Sequence, residues 1–467
     1  MNPAAAPCAH DFATLALAPP VLANLQRLGY VEMTPVQAAT LPLSLAGADV
    51  IAQAKTGSGK TAAFALPLLA RLDARRFEVQ ALVLCPTREL ADQVTDEVRR
   101  LARSQDNLKV LALCGGVPLR DQLASLAHGA HVVVGTPGRV LDHLARASLR
   151  LPALQVLVLD EADRMLDMGF AQAISEVLAH CPRERQTLLF SATLSDDVAA
   201  LAARFMRDPQ RVALPAQHAA AAIRQRFYEV TEEERLHAVS LLLEHFRPPS
   251  TLAFCNTRAQ CADLAQVLRA QGYQALALHG ELEQRERDQV LIRFANRSCS
   301  VLVATDVASR GLDVERLEAV VNVDIAPDPQ THLHRIGRTG RAEQTGWAFS
   351  LASLPEMGSV GRIEQMQGVE TEWHRLDELV PSGSEPLRAA MVTLQIAGGR
   401  KEKIRAGDVL GALTKDAGFA AAQIGRIDVN PFATYVAVDR QIARDALARL
   451  DGGRIKGKVV KVRALDD

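Results

Sequence analysis

Short apolar runs of four or five residues recur along the chain, separated by longer Ala- and Leu-rich stretches with helical character. In the first half they are ALVLC, VLALC, HVVVG, VLVLD and TLLFS; in the second they are TLAFC, ALALH, VLVAT, AVVNV and AFSLA. Continuous, Val-rich runs predict parallel strands buried on both faces by the intervening helices. The chain reads as two parallel-sheet halves built alike. A stretch from Asp208 to Ile223, with Pro209, Pro215 and an alanine run, predicts the hinge between them.

After the connector VPSGSEPLRAA the pattern changes. VTLQIAG reads as a strand, AGDVLGALTKDAG as a helix, and IGRIDV and TYVAVD as strands. ARDALARLDG then reads as a helix and KGKVVKVRA as a last strand. This β-α-β-β-α-β order predicts a small ferredoxin-like, RRM-like α+β domain. The predicted boundaries are 1–208 and 220–370 for the two halves, 371–390 for a linker and 391–467 for the tail.

Composition narrows the picture. At 467 residues the chain exceeds one ordinary core, so two or three domains are expected. No apolar run approaches the roughly 18 residues needed to span a membrane. The start MNPAAAPCAH lacks the basic segment and apolar core of a signal peptide. Seven scattered cysteines without a CxxC pair point to free thiols in a reducing cytoplasm. A net charge of −1 hides an asymmetry, because residues 391–467 carry +5 and the rest −6. A basic tail on an acidic body suits either a polyanion binder or a solvated basic face.

The chemistry sits where strands end. Loops after these runs read PTREL, TPGR, SAT and TDVASRG, and open parallel sheets bind ligands outside the carboxyl ends of their strands. Two such sheets facing one another would form a split site that closes on its ligand. AKTGSGKT, residues 54–61, follows the apolar DVIAQ and opens the segment AAFALPLLARL. That strand, glycine loop and helix context fits a Walker A phosphate loop, although the generic pattern starts with Gly rather than Ala54. Gly57 and Gly59 free backbone N–H groups for phosphates. Lys60 would reach the β- and γ-phosphates, and Thr61 would offer a hydroxyl to Mg²⁺.

VLVLDEADRM places three carboxylates at the end of an apolar run. Two unit charges about 4 Å apart cost roughly 4 kcal/mol at an effective dielectric near 20, so a cation is expected there. Asp160 stands where a Walker B carboxylate holds the metal through water, and Glu161 where it could orient the attacking water. HRIGRTGR, His334 to Arg341, supplies arginines that could stabilise transition-state charge.

Together these motifs resemble the DEAD-box RNA helicases, over roughly residues 12–370 and in the family's order. The resemblance implies α/β architecture with two RecA-like domains, RNA-dependent hydrolysis of ATP with Mg²⁺, and local unwinding of short RNA duplexes. It implies that Phe12, Tyr30 and Gln37 (in GYVEMTPVQ) hold the adenine, beside the loop Thr56, Gly57, Ser58, Gly59, Lys60 and Thr61. Ser191 and Thr193 would couple hydrolysis to unwinding. Asp313 would contact the ribose, and Arg338 and Arg341 would be the arginine fingers. An RNA track is implied along Thr87, Arg88, Gly115, Gly116, Thr136, Pro137, Gly138 and Arg139. It would continue through Thr257, Arg258, Gln284, Arg287 and Thr305. Small hydroxyls, backbone amides and arginines suit a sugar–phosphate track, whereas the preference for RNA rests on the resemblance.

The tail, through GGRKEKIRAGDVLGALT and IGRIDV, resembles that of a bacterial branch of the family. This implies direction to a hairpin of large-subunit ribosomal RNA, contact with pre-ribosomal particles, and a part in ribosome assembly. Arg400, Lys401, Lys403, Arg405 and Tyr435 are the candidate RNA contacts, although most of the RRM aromatic platform is missing. A small docking domain is the other reading of the tail. A cytoplasmic monomer without membrane contact is expected. Two alternatives to a helicase remain at this point: an ATP-gated RNA clamp, and an RNA-binding scaffold with little unwinding.

Overall fold

The computed structural model describes residues 10–54, 57–213, 223–309, 317–340, 345–383 and 385–465. The chain forms two compact units, residues 1–217 and 218–467. The first is built on seven parallel strands: β1 (Val50–Gln53), β2 (Ala81–Leu84), β3 (Val110–Leu113), β4 (Val132–Gly135), β5 (Val156–Asp160), β6 (Gln186–Ser191) and β7 (Gln210–Ala213). Their spatial order is β3-β4-β2-β5-β6-β1-β7. Successive residues of a strand point to opposite faces. Val83, Val134 and Val158 therefore enter one core, while Leu82, Val133 and Leu157 enter the other. That two-sided burial is why the runs are continuously apolar.

The second unit repeats the plan with β8 (Ile223–Glu229), β9 (Thr251–Phe254), β10 (Ala275–Leu278), β11 (Val301–Ala304), β12 (Ala319–Asn322), β13 (Gly346–Ala352) and β14 (Trp373–His374). The order β10-β11-β9-β12-β13-β8-β14 matches the first sheet position for position. Three segments depart from the sequence reading. Gln210–Ala213, inside the predicted hinge, pairs with β1 as an edge strand. Strand β8, IRQRFYE, carries too many polar residues to read as a buried run, yet lies between β13 and β14. Most of the predicted linker is packed rather than free. Trp373 and His374 pair with β8, Leu379 is buried in the core, and Ser382 Oγ donates to the Glu244 carbonyl at 3.0 Å.

The tail, in the same unit, has an antiparallel four-stranded sheet of β15 (Met391–Ala397), β16 (Ile424–Val429), β17 (Ala433–Asp439) and β20 (Val462–Ala464), ordered β16-β17-β15-β20. The two helical segments, Ala406–Gly411 (continuing as a π-turn to Asp416) and Ala443–Leu450, contribute to the core beneath it. The predicted last strand is divided. Lys458–Val459 (β19) forms a hairpin with Arg454–Ile455 (β18), and only Val462–Ala464 joins the sheet. The sheet's other face meets the second parallel-sheet domain. Thr393 accepts from Asn296 Nδ2 at 3.2 Å and lies 2.6 Å from Ser298 Oγ; the Ala389 amide donates to Gln274 Oε1 at 2.8 Å.

Candidate active site

At the carboxyl end of β1 the chain turns through Gly57 and Gly59, both with positive φ (+83° and +86°), into the helix Lys60–Ala70. Glycine is required at 59 for space as well as for conformation. A Cβ there would lie 2.6 Å from Gln37 Nε2 and 3.0 Å from Thr34 Oγ1. Lys60, 5% exposed, places its Nζ 2.9 Å from Asp160 Oδ1 and 3.3 Å from Glu161 Oε1. It is the cation expected opposite the strand-end carboxylates. Arg164 Nη1 reaches Glu161 Oε2 at 3.2 Å. Burial alone would lower the Lys60 pKa, but Asp160 and Glu161 raise it overall and keep the ammonium charged. Burial pushes the Asp160 carboxyl up against the pull of Lys60, and Glu161 adds to the rise.

Glu161 caps the helix Ala162–Asp167 with φ +56°, a left-handed conformation that costs a non-Gly residue about 1–3 kcal/mol and clusters at functional sites. The third carboxylate turns away from the first two. Asp163 Oδ2 accepts from the Thr193 amide and hydroxyl at 2.9 and 3.1 Å, and its own amide donates to Ser191 Oγ at 3.2 Å. The SAT segment is thus joined directly to the acidic strand end, and the Ser191 carbonyl accepts from the Ala54 amide at 2.8 Å. No role for Asp163 or Arg164 was assigned from sequence, although both stand in the quoted stretch.

Gln37 lies at N3 of the helix Pro35–Leu45 and forms a capping box with Thr34. Its Oε1 accepts from the Thr34 amide at 2.9 Å, and its Nε2 donates to the Gly59 carbonyl at 3.0 Å. The residue expected to read adenine therefore holds the glycine loop. Phe12 meets Tyr30 edge-on at 6.1 Å, and the Tyr30 hydroxyl donates to Glu97 at 2.5 Å. Burial, then Glu97, raises the Tyr30 pKa.

The other candidates of the first unit also collect at the carboxyl edge of the sheet. Thr87 and Thr136 are N-caps, and Arg88 lies 3.5 Å from Asp92. Pro137 opens the helix Pro137–Ala145, and Gly115 and Gly116 follow β3. Arg139 Nη1 donates to the Val117 carbonyl and Gln122 Oε1, both at 3.0 Å. Buried Gln122 also donates to the Cys114 carbonyl at 2.8 Å and lies 2.9 Å from His143 Nε2. It braces the TPGR segment against the Gly115–Gly116 turn, and nothing in the sequence pattern marked it.

In the second unit Thr257 caps the helix Arg258–Ala270, and Arg258 pairs with Glu281. Gln284 donates to Asp288 at 2.8 Å, Arg287 to the Ala308 carbonyl at 2.7 Å, and Thr305 follows β11. The arginines of HRIGRTGR divide by burial. Arg335, 1% exposed, is bound to Asp306, Asn256 and the Asp324 carbonyl and acts as an internal brace. Arg338 is 6% exposed. Thr56, Asp313 and Arg341 lie outside the described residues.

On the tail, Arg400, Lys401, Lys403 and Arg405 are all exposed. Tyr435 is not. It is 5% exposed, its hydroxyl lies 3.5 Å from Gln395 Nε2, and it presents no open ring face to a base. The expectation for Tyr435 is corrected because its side chain is buried. The open aromatic is Phe432, 65% exposed, with Lys401 Nζ 4.1 Å from its ring centroid. The turn at 400–402 is held on the β16–β17 loop by amides of Arg400 and Lys401, which donate to the Asn430 and Pro431 carbonyls. Lys456 and Lys458 of the β18–β19 hairpin donate to the Lys403 and Glu402 carbonyls, both at 3.0 Å. The sequence signal for Phe432 is its place in the turn NPF, in the loop between β16 and β17.

Paired seven-stranded parallel sheets, with a glycine loop, an acidic strand end and a basic α+β tail, define an ATP-driven RNA remodelling enzyme. The chain belongs to the DEAD-box ATP-dependent RNA helicases. Residues 34–201 match the DEAD/DEAH box helicase family, 234–343 the helicase conserved C-terminal domain, and 393–464 the DbpA RNA binding domain. It is 52% identical to the ATP-dependent RNA helicase DbpA of Escherichia coli (strain K12), over 97% of this chain and 99% of that protein. It is 43% identical to the helicase CshA of Geobacillus kaustophilus over 76% of each chain. Among solved structures, Dbp5 of S. cerevisiae bound to RNA and ADP BeF3 is similar at 30% identity and a TM-score of 0.72, covering 79% of this chain and 96% of that one. The enzyme is an RNA-dependent ATPase with an RNA-binding C-terminal domain.

Proposed function

We propose that the protein uses ATP hydrolysis to open short RNA duplexes locally, at large-subunit ribosomal RNA during ribosome assembly. The observation that carries the motor half is Lys60 lodged between Asp160 and Glu161 beside the glycine loop. On ATP binding, the β- and γ-phosphates replace carboxylate oxygens as partners of Lys60, which leaves Glu161 able to orient the attacking water. Gln37 exchanges its Gly59 bond for the adenine edge, and Phe12 and Tyr30 support the base. Asp313 takes the ribose, and Arg338 and Arg341 offset transition-state charge. Loss of the Gln37–Gly59 bond would report nucleotide arrival to the loop itself.

Mg²⁺ fits the residues present. Asp160 Oδ2 is fully buried, yet has no hydrogen-bond donor among the described residues. Thr61 stands in the first turn of the helix after the loop. When bound, Mg²⁺ would supply positive charge that offsets the negative charge of the triphosphate. Asp160 and Thr61 are the residues that would hold it.

RNA runs along Thr87, Arg88, Gly115, Gly116 and Thr136 to Arg139, then Thr257, Arg258, Gln284, Arg287 and Thr305. Helix N-caps and glycine turns offer backbone N–H groups to phosphates, so this track does not read sequence. The tail supplies the choice. Phe432, flanked by Arg400, Lys401, Lys403, Lys456 and Lys458, joins a stacking face to a basic surface, the combination that takes unpaired RNA bases. Its resemblance to the bacterial branch described above supports the ribosomal target. We place the protein in the cytoplasm as a monomer. The six described cysteines are all buried free thiols, in keeping with a reducing compartment. Among the described residues no helix is long and apolar enough to cross a membrane.

Strand displacement tests this reading. A short labelled duplex beside a ribosomal hairpin should be released by the wild type with ATP, and not by Lys60→Ala. Equal release with and without ATP would instead mean a clamp or scaffold.

A further inference from the structure

A second cluster of cations lies on the first unit, away from the glycine loop. That loop follows the carboxyl end of β1, whereas Gly47, Glu184, Arg185 and Arg207 precede the amino ends of β1, β6 and β7. With Arg71, the C-cap of the helix Lys60–Ala70, they line a polar cavity of about 260 Å³. Arg185 is 7% exposed. Its Nη1 and Nη2 donate to the Pro182 and Phe205 carbonyls at 2.6 and 3.3 Å, while its buried Nε has no partner among the described residues. Arg207 Nη2 donates to the Arg185 carbonyl at 2.6 Å, which fixes the two side by side.

The Arg71 side chain makes no hydrogen bond or ion pair among the described residues. Its guanidinium lies against Gly47, where a Cβ would fall 2.5 Å from Nη2. No local carboxylate is paired with the guanidiniums of the cluster among the described residues. Glu184 lines the cavity without pairing to any of the three arginines, and Asp49 accepts from the backbone amides of Thr187 and Arg207 at 2.8 and 2.7 Å. Three guanidiniums round one polar cavity repel each other, and an oxyanion relieves that repulsion.

We propose that this cavity binds a phosphate group. Guanidinium N–H forks match phosphate oxygens. The volume of about 260 Å³ leaves room for a phosphate group with water around it. The group could come from an RNA backbone outside the motor's track or from a free phosphate. Because it faces the opposite end of the sheet, the site is independent of the nucleotide loop.

The test is thermal unfolding of the full chain, with the nucleotide site filled by a non-hydrolysable ATP analogue. Inorganic phosphate is compared with chloride at equal ionic strength, for wild type and Arg71→Gln. Phosphate stabilises proteins generally, so the readout is the difference between the two proteins. The variant should lose at least half of the wild-type rise in Tm, and in chloride it should be no less stable, because a repulsive charge with no bond is gone. An equal phosphate response in both proteins would overturn the proposal. Should Arg71→Gln fail to fold, Arg207→Gln, at an exposed position, gives the same comparison. A parallel salt titration with single-stranded RNA identifies the source: a salt slope reduced by about one in the variant assigns an RNA phosphate, and an unchanged slope assigns a free one.

Discussion

Glu161 shows how one residue carries both strain and chemistry. Its left-handed backbone aims the carboxylate back at Lys60 and Arg164 instead of along the strand. Glu161→Gln preserves size and one acceptor but removes the charge, so ATP should remain bound while hydrolysis falls by roughly 10² or more. Single-turnover phosphate release under saturating RNA measures this; a loss below tenfold would assign the water to another group. Lys60→Ala should act differently, abolishing tight nucleotide binding and leaving two buried carboxylates without their shared cation. Breaking such a pair costs about 3–5 kcal/mol, so a chemical denaturation midpoint well below wild type is expected. Sequence made Lys60, Asp160 and Glu161 legible because the loop and strand end are contiguous motifs. The roles of Asp163, Gln122 and Arg335 were hidden, because hydrogen bonds across a fold leave no trace in residue spacing.

At the scale of elements, the helix Pro329–Ile336 illustrates a buried polar group with a measurable consequence. His332 is fully buried, lies 3.3 Å from Gln225 Oε1 and stacks on Phe227 at 6.0 Å. Burial, helped by Arg335, lowers its pKa from 6.5 to about 4. The unfolded chain then binds the extra proton first as pH falls. Stability is intact above pH 6.5 and is lost progressively towards pH 4, by about 3 kcal/mol for this group. Both tryptophans, Trp347 and Trp373, belong to this domain. Urea unfolding followed by their fluorescence should show a pH-dependent gap between wild type and His332→Gln; parallel curves from pH 7 to 4 would refute the assignment. Strands were readable where both faces are buried, as in VLVLD and HVVVG. The edge and near-edge strands β7, β8 and β14 were not, since solvent on one side permits Arg, Gln and Glu that mask the pattern.

For the whole molecule, the tail sheet uses one face for its own core and part of the other against the domain before it. Residues 371–390 read from sequence as a linker, and Trp373 and Leu379 anchor it to the domain before it. Under the function proposed above, RNA selection would fall to the loop edge around Phe432, an exposed ring with Lys401 against it. The central claim is a motor indifferent to sequence whose discrimination comes from this edge. The most direct measurement is the ratio of ATP turnover on a large-subunit ribosomal hairpin to that on an unrelated RNA at equal concentration. The ratio is taken for the full chain, for Phe432→Ala and for a chain lacking residues 391–467. The full chain should show a large ratio, Phe432→Ala a ratio reduced by about the 1–3 kcal/mol of one stacked base, and the truncated chain a ratio near one with turnover retained. A ratio unchanged by removal of the tail would contradict the account.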